Sequence, residues 1–199
     1  MAEASIYTTR LPLEPRNELA SGWWGIIALI VTEGALFALL EFSYYYVFSQ
    51  STAPWPPDGP LPLKIALPNT FVLILSSVAV FAAERACRRG NLAAVTARLL
   101  IGIVLGLAFV GLQVMEWMNK PFNPTSHTFG SLYYLITGFH MAHVVVGLMM
   151  LIAVMIWSHR GYYDAGKHLQ VTTTSYYWHF VDAVWVTVFF AFYLWPILV

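Results

Sequence analysis

The stretch that decides the fold runs from Ser175 to Trp195: Ser-Tyr-Tyr-Trp-His-Phe-Val-Asp-Ala-Val-Trp-Val-Thr-Val-Phe-Phe-Ala-Phe-Tyr-Leu-Trp. About twenty mostly apolar and aromatic residues, at about 1.5 Å per residue, are enough to cross the hydrocarbon core of a bilayer. A simple anchor would be apolar throughout, but this segment carries His179 and Asp182. Three positions apart, they share one helix face, and Trp178 and Trp185, seven apart, share a neighbouring stripe. An Asp at the centre of a spanning helix costs roughly 2.5 to 3.5 kcal/mol on insertion scales, so it faces protein or water rather than lipid. The segment is built to pack against other helices.

Working outward, four further apolar stretches appear. The expected spans are about 22–48, 69–88, 94–118, 130–157 and 173–196, in a transmembrane domain covering 22–199 behind a polar leader, 1–21. Aromatic pairs and triplets (Trp23-Trp24, Tyr44-Tyr45-Tyr46) suit the two interfaces of the first span. Between the first two spans, residues 51–68 hold Pro54, Pro56, Pro57, Pro60, Pro62 and Pro68, which are expected to lie outside any helix interior. Arg85, Arg88 and Arg89 stop the second span and Gly90-Asn91 turns the chain. The fold class is therefore all-α, a polytopic bundle of five membrane helices.

Composition agrees. Of 199 residues, 59% are hydrophobic and 10% charged, against about 25% charged in a soluble domain. Ten basic and ten acidic residues leave no net charge to attract nucleic acid. A single cysteine, Cys87, excludes a disulfide framework and a thiolate metal cluster within one chain. With five crossings, Arg10, Arg16, Arg85, Arg88, Arg89, Arg98, Arg160 and Lys167 fall on one side, and only Lys64 and Lys120 on the other. The positive-inside rule then puts the N-terminus in the cytoplasm and the C-terminus in the periplasm. The cluster Arg85, Arg88, Arg89 is first a topology determinant and second a contact for anionic lipid.

Polar groups at membrane depth are the candidate functional residues: Glu33 in the first span, Gln113 and Glu116 in the third, His140 and His143 in the fourth, His179 and Asp182 in the fifth. They can carry protons, hold a metal, grip lipid headgroups, or bond helices together. A four-helix di-iron site uses Glu-x-x-His on two helices. Here the patterns are His-x-x-His and His-x-x-Asp, and His-Glu-x-x-His is also absent. We therefore expect neither catalytic nor metal or cofactor ligands. Glu41 has no assigned partner.

Five ordered motifs carry a family resemblance. Trp178-His179-Phe180-Val181-Asp182-x-x-Trp185 resembles the last-helix signature of subunit III of haem–copper oxidases. Gly138-Phe139-His140-x-x-His143-Val144, Gln113-x-x-Glu116, Phe129-Gly130-Ser131, and Trp55-Pro56-Pro57 with Asn69-Thr70 are similar to other parts of that family, and Glu33 falls where it keeps an intramembrane Glu. This chain resembles a short five-helix form lacking the first two of seven helices. The resemblance implies an accessory subunit of a proton-pumping oxygen reductase of aerobic respiration, without a redox centre of its own. It implies haem and copper in partner subunits, docking on catalytic subunit I among other oxidase subunits, bound phospholipid, and support of proton uptake. Glu33 and Asp182 are then expected to be buried, paired groups near the subunit interface. The short form and the absence of a transit-type leader point to a bacterial cytoplasmic (inner) membrane. The alternatives are an accessory subunit of a nitric oxide reductase, a free-standing metalloenzyme using Glu33, Glu116, His140 and His143, or a small transporter, which the lack of internal repeats disfavours.

Overall fold

The computed structural model describes residues 21–163 and 168–198, so the leader 1–20 and Lys167 lie outside the described residues. It holds α1 (Ser21–Gln50), α2 (Leu63–Arg88), α3 (Leu92–Met118), α4 (Thr128–His159) and α5 (Leu169–Phe189). A π-helical turn, Phe190–Leu194, and a last short helix, α6 (Trp195–Leu198), continue α5. Among the described residues there is no strand. Five helical segments of 26 to 32 residues are long and apolar enough to span a membrane. At 1.5 Å per residue they measure about 39 to 48 Å, beyond the roughly 30 Å hydrocarbon core, so their polar ends extend into the interface. The apolar pattern alone marks only the part at membrane depth, which is why the helices outrun the expected spans.

The helix ends have local causes. Gly90 takes φ +72°, and its amide bonds the Cys87 carbonyl at 2.8 Å while the Asn91 amide reaches Ala86 at 3.1 Å. A left-handed residue there closes the orphan carbonyls of α2 at little steric cost. Asn91 Oδ1 then accepts from the Ala94 amide, capping α3, and His127 Nδ1 accepts from Gly130, capping α4. One expectation fails: Pro68 lies inside α2, as its sixth residue. The amide it lacks would have bonded the Lys64 carbonyl. Both residues are exposed near the helix start, where solvent can serve that carbonyl, and the usual penalty for an interior proline is reduced accordingly.

The helices are arranged around α5, which packs against α1, α2 and α4, while α2 and α3 form a closely paired hairpin. Trp178 and Trp185 are fully buried. The Trp178 indole N–H donates to Ser76 Oγ at 3.0 Å and that of Trp185 to Thr70 Oγ1 at 3.0 Å, both on α2. Two glycines seat the first indole. A Cβ on Gly147 would stand 2.8 Å from Trp178 Cε3, and one on Gly106 would stand 2.9 Å from Trp178 Cη2. Close approach through small residues is how membrane helices gain dispersion contacts without a hydrophobic driving force. By contrast α1 rests mainly on α5 and, less, on α4, and much of its surface (Trp24, Val31, Leu39, Phe42) is exposed and apolar.

Substituting Gly147 with Leu should force Trp178 out of its seat and cost about 1–3 kcal/mol, as overpacking does. Thermal unfolding in detergent reads this as a lowered Tm; an unchanged Tm would mean that the Trp178 seat is not a packing constraint.

Candidate functional site

The polar groups at membrane depth sort onto different faces of the bundle. His140 is 1% exposed and sits among Phe37, Phe109 and Trp185, with its ring centroid 4.9 Å from that of Trp185. Its Nε2 is 3.2 Å from the Val181 carbonyl, which can only accept, so Nε2 carries the hydrogen. Nδ1 is buried without a hydrogen-bond partner. His140 thus bonds α4 to α5 inside the core.

His143, one turn on, faces a different environment. Its Nδ1 is 2.7 Å from the Phe139 carbonyl and its Nε2 is 3.0 Å from Glu33 Oε2. Both neighbours are acceptors when Glu33 is ionised. The two contacts are satisfied together if the imidazolium donates from both nitrogens, or if Glu33 carries the proton and donates to Nε2. The contact links α1 to α4. The pair is only part-buried, with side-chain exposures of 35% for Glu33 and 15% for His143. It borders an apolar groove of about 280 Å³ lined by Ile26, Leu29, Val146, Met150 and Tyr177, among others.

On the opposite side of α5, against α2, lies a second seam. His179 Nδ1 is 2.5 Å from Ser77 Oγ and Nε2 is 3.2 Å from Ser175 Oγ. Asp182 follows on the same face. Both its carboxylate oxygens are out of solvent, near the Ser77 hydroxyl but without a well-formed hydrogen bond among the described residues. Glu33 and Asp182 therefore face different surroundings, Glu33 toward His143 of α4 and Asp182 toward Ser77 of α2. Glu33 is paired but half-open, whereas Asp182 is enclosed, with the Ser77 hydroxyl as its polar neighbour.

Toward the other end of the bundle, Gln113 and Glu116 enter a sealed network. Asn69 Nδ2 donates to Gln113 Oε1 at 3.4 Å, and Lys120 Nζ donates to Glu116 Oε1 at 2.8 Å. Tyr193 donates to the same Glu116 oxygen at 2.5 Å. Since that hydrogen is spent, Tyr133 is the donor in its 2.9 Å bond to Tyr193. Lys120 lies over the Tyr133 and Tyr193 rings at 5.0 and 5.2 Å, and its side chain and that of Glu116 are 3% and 4% exposed. In the sequence Lys120 stands out only as a basic residue on the side opposite the arginines. Its place four after Glu116 was the available signal. Tyr133 had none, and Tyr193 is brought inward by the π-helical turn, where three consecutive residues are buried. Glu41 also finds its partner: Thr187 donates to its Oε1 at 2.6 Å, linking α1 to α5. Among the described residues, no three of His, Cys, Asp and Glu converge closely enough to hold a metal ion.

Burial, the larger influence, holds the Lys120 ammonium below the ordinary lysine pKa, while the charge and hydrogen bond of Glu116 pull it back up. The folded state therefore gains on the unfolded one as pH rises from that lowered value toward the ordinary one. Glu116→Gln leaves a buried ammonium without its counter-charge and should destabilise by about 3–5 kcal/mol. Adding Lys120→Met should recover most of that loss in detergent unfolding. A double variant no more stable than Glu116→Gln alone would show that the ion pair is not the cause.

The chain matches the family described as cytochrome c oxidase subunit III over residues 17–197. It is 32% identical over 179 residues to the cytochrome c oxidase subunit 3 of Petromyzon marinus, covering 86% of this chain and 69% of that relative. Identity is 33% over 175 residues to the Synechocystis sp. protein of the same name, covering 86% and 74%, and 35% over 182 residues to that of Lumbricus terrestris, covering 86% and 69%. These matches lend no support to a nitric oxide reductase subunit, a free-standing metalloenzyme or a transporter. Taken with the five-helix membrane fold, they show that the chain belongs to the cytochrome c oxidase subunit III family, an accessory subunit of haem–copper oxidases.

Proposed function

We propose that this chain docks on the catalytic subunit I of a proton-pumping oxygen reductase, holds phospholipid, and supports proton uptake from the cytoplasmic side. The observation that carries the reading is the Glu33–His143 pair. It is a carboxyl–imidazole pair with 3.0 Å between Glu33 Oε2 and His143 Nε2, half-open at the edge of an apolar groove. A purely structural pair would be expected to be shut away from the surface, as the Glu116 and Lys120 side chains are. An open one can exchange its proton or meet a neighbour. The groove beside it has the apolar lining an acyl chain needs, and the exposed apolar side of α1 offers a face to a further subunit or to lipid.

Haem and copper belong to the partner subunits in this reading, with other oxidase subunits completing the complex. The arginines at the α2–α3 turn favour a cytoplasmic placement of that turn, hence of the N-terminus, with the C-terminus in the periplasm of a bacterial inner membrane. His179 and Asp182 then lie on the cytoplasmic half, facing α2.

Purification through a tag on this chain in mild detergent should bring down a haem-bearing large subunit, seen in the reduced-minus-oxidised spectrum. Recovery of the chain alone, with its own bound iron, copper or zinc, would contradict the assignment. In the assembled oxidase, Glu33→Gln and Asp182→Asn should shorten turnover life or lower the protons pumped per electron. If both variants match the parent on assembly, turnover life and pumping, these residues have no part in proton uptake.

A further inference from the structure

Glu41 carries a carboxyl into the bilayer with little inside the chain to meet it. With the 30 residues of α1 centred in a membrane, it lies about 8 Å beyond the middle at about 1.5 Å per residue, inside a hydrocarbon core that extends roughly 15 Å either side of centre. It is half-buried, at the seam between α1 and α5. Its Oε1 takes the hydrogen of Thr187 at 2.6 Å, but the same hydroxyl lies 2.8 Å from the Val184 carbonyl, so one hydrogen serves two acceptors. No cation pairs with Glu41 among the described residues. Protonated, it would return a hydrogen to Thr187 and still leave an oxygen in need of a donor. Reaching out to the interface is the habit of long Lys and Arg side chains, and Thr187 ties this shorter one inward.

The surface around it is apolar and open. Ala38 and Phe42 flank it on α1, and Ala183, Val186 and Phe190 flank Thr187 on α5. A carboxyl facing hydrocarbon across such a surface is costly, and its place at membrane depth is toward protein or water. An acyl chain covers the apolar flanks but brings no donor to this depth, since headgroups stay at the interface. A second copy of the chain, inserted the same way and packed about a two-fold axis, would set Glu41 against Glu41. Nor would its cations reach: among the described residues, lysines and arginines sit toward the ends of the helices. The occupant that fits both the flanks and the carboxyl is a helix of a different chain, apolar along its contact and carrying a side-chain N–H. Membrane helices associate in this way, by close packing plus a hydrogen bond across the interface. We propose that the α1–α5 seam at Glu41 docks a transmembrane helix of a neighbouring oxidase subunit, with an N–H of Lys, Arg, Asn or Gln donating to the Glu41 carboxyl. This deepens the docking proposed above and rests on it for the neighbour's being an oxidase subunit.

In the assembled, tag-purified oxidase, photoreactive p-benzoylphenylalanine in place of Phe42 should crosslink this chain to a different subunit, identified by its peptides. A crosslink to a second copy, or to lipid and detergent alone, would overturn the proposal. The part played by the carboxyl is read as the ratio of released to bound chain when the complex is challenged with detergent. Glu41→Leu should raise that ratio about threefold, as loss of one interhelical hydrogen bond in a membrane does. Glu41→Gln keeps an acceptor oxygen and should release less than Glu41→Leu. Thr187→Val removes the bond inside the chain and leaves the carboxyl to the neighbour, so release should stay near that of the parent. Equal release by Glu41→Leu and Thr187→Val would show that Glu41 acts within this chain only. An unchanged ratio in Glu41→Leu would remove the hydrogen bond to the neighbour, and either result overturns the proposal. A preparation without haem bands would defeat the oxidase reading and the identity of the neighbour with it. A haem-bearing complex without the crosslink would defeat the seam alone.

Discussion

The rest of the structure depends on two indole N–H groups of α5 finding hydroxyls on α2. Within a bilayer, apolar side chains gain little by leaving lipid for protein, so helices are held by close packing and interhelical hydrogen bonds. Trp178 and Trp185 supply both. Their rings fill the centre of the bundle, and their single donors reach Ser76 and Thr70 at 3.0 Å each. Because the two tryptophans are seven apart, they approach α2 at two levels and fix its register as well as its distance. The packing of α4 follows: Gly147 lets it approach the Trp178 ring, and His140 completes the layer by bonding the Val181 carbonyl.

With α5 fixed in this way, its two sides receive different chemistry. Toward α1 and α4 it borders the Glu33–His143 pair and the apolar groove; toward α2 it presents His179 and Asp182. Neither seam carries three converging ligands among the described residues, and both differ from the sealed Glu116–Lys120 network at the other end. The closed network sets the geometry of α3, α4 and the π-helical turn. The Glu33–His143 pair instead stays half-open at the edge of the groove. Such a division suits an accessory subunit, whose own frame must be rigid while its borders meet lipid and neighbouring chains.

Much of this was legible in the residues. Five apolar runs, punctuated by prolines and arginines, mark five helices, and His179 and Asp182 mark the fifth as one that packs against protein. The pairing of polar groups was less legible, because residues three apart on a helix are about 60° apart around its axis. That angle is enough to put His140 in the core and His143 at the groove, and no pattern within α4 says which goes where. Partners on other helices were hidden for the same reason: Thr187 for Glu41, Ser77 for His179. Pro68 misled because a proline near an exposed helix start offends less than the rule for interiors suggests. Tyr193 depended on a π-helical turn that the apolar pattern of 190–194 does not encode.

The most direct measurement of the claim that α5 is held by its indole donors is a double-mutant cycle between Trp178→Phe and Ser76→Ala, read as unfolding free energy in detergent micelles. The ring volume lost in the first substitution cancels in the cycle, leaving the hydrogen bond. A coupling of about 0.5–1.5 kcal/mol is predicted for a bond of this kind. Additive effects would mean that the indole and the hydroxyl do not act together, and that α5 is held by shape alone.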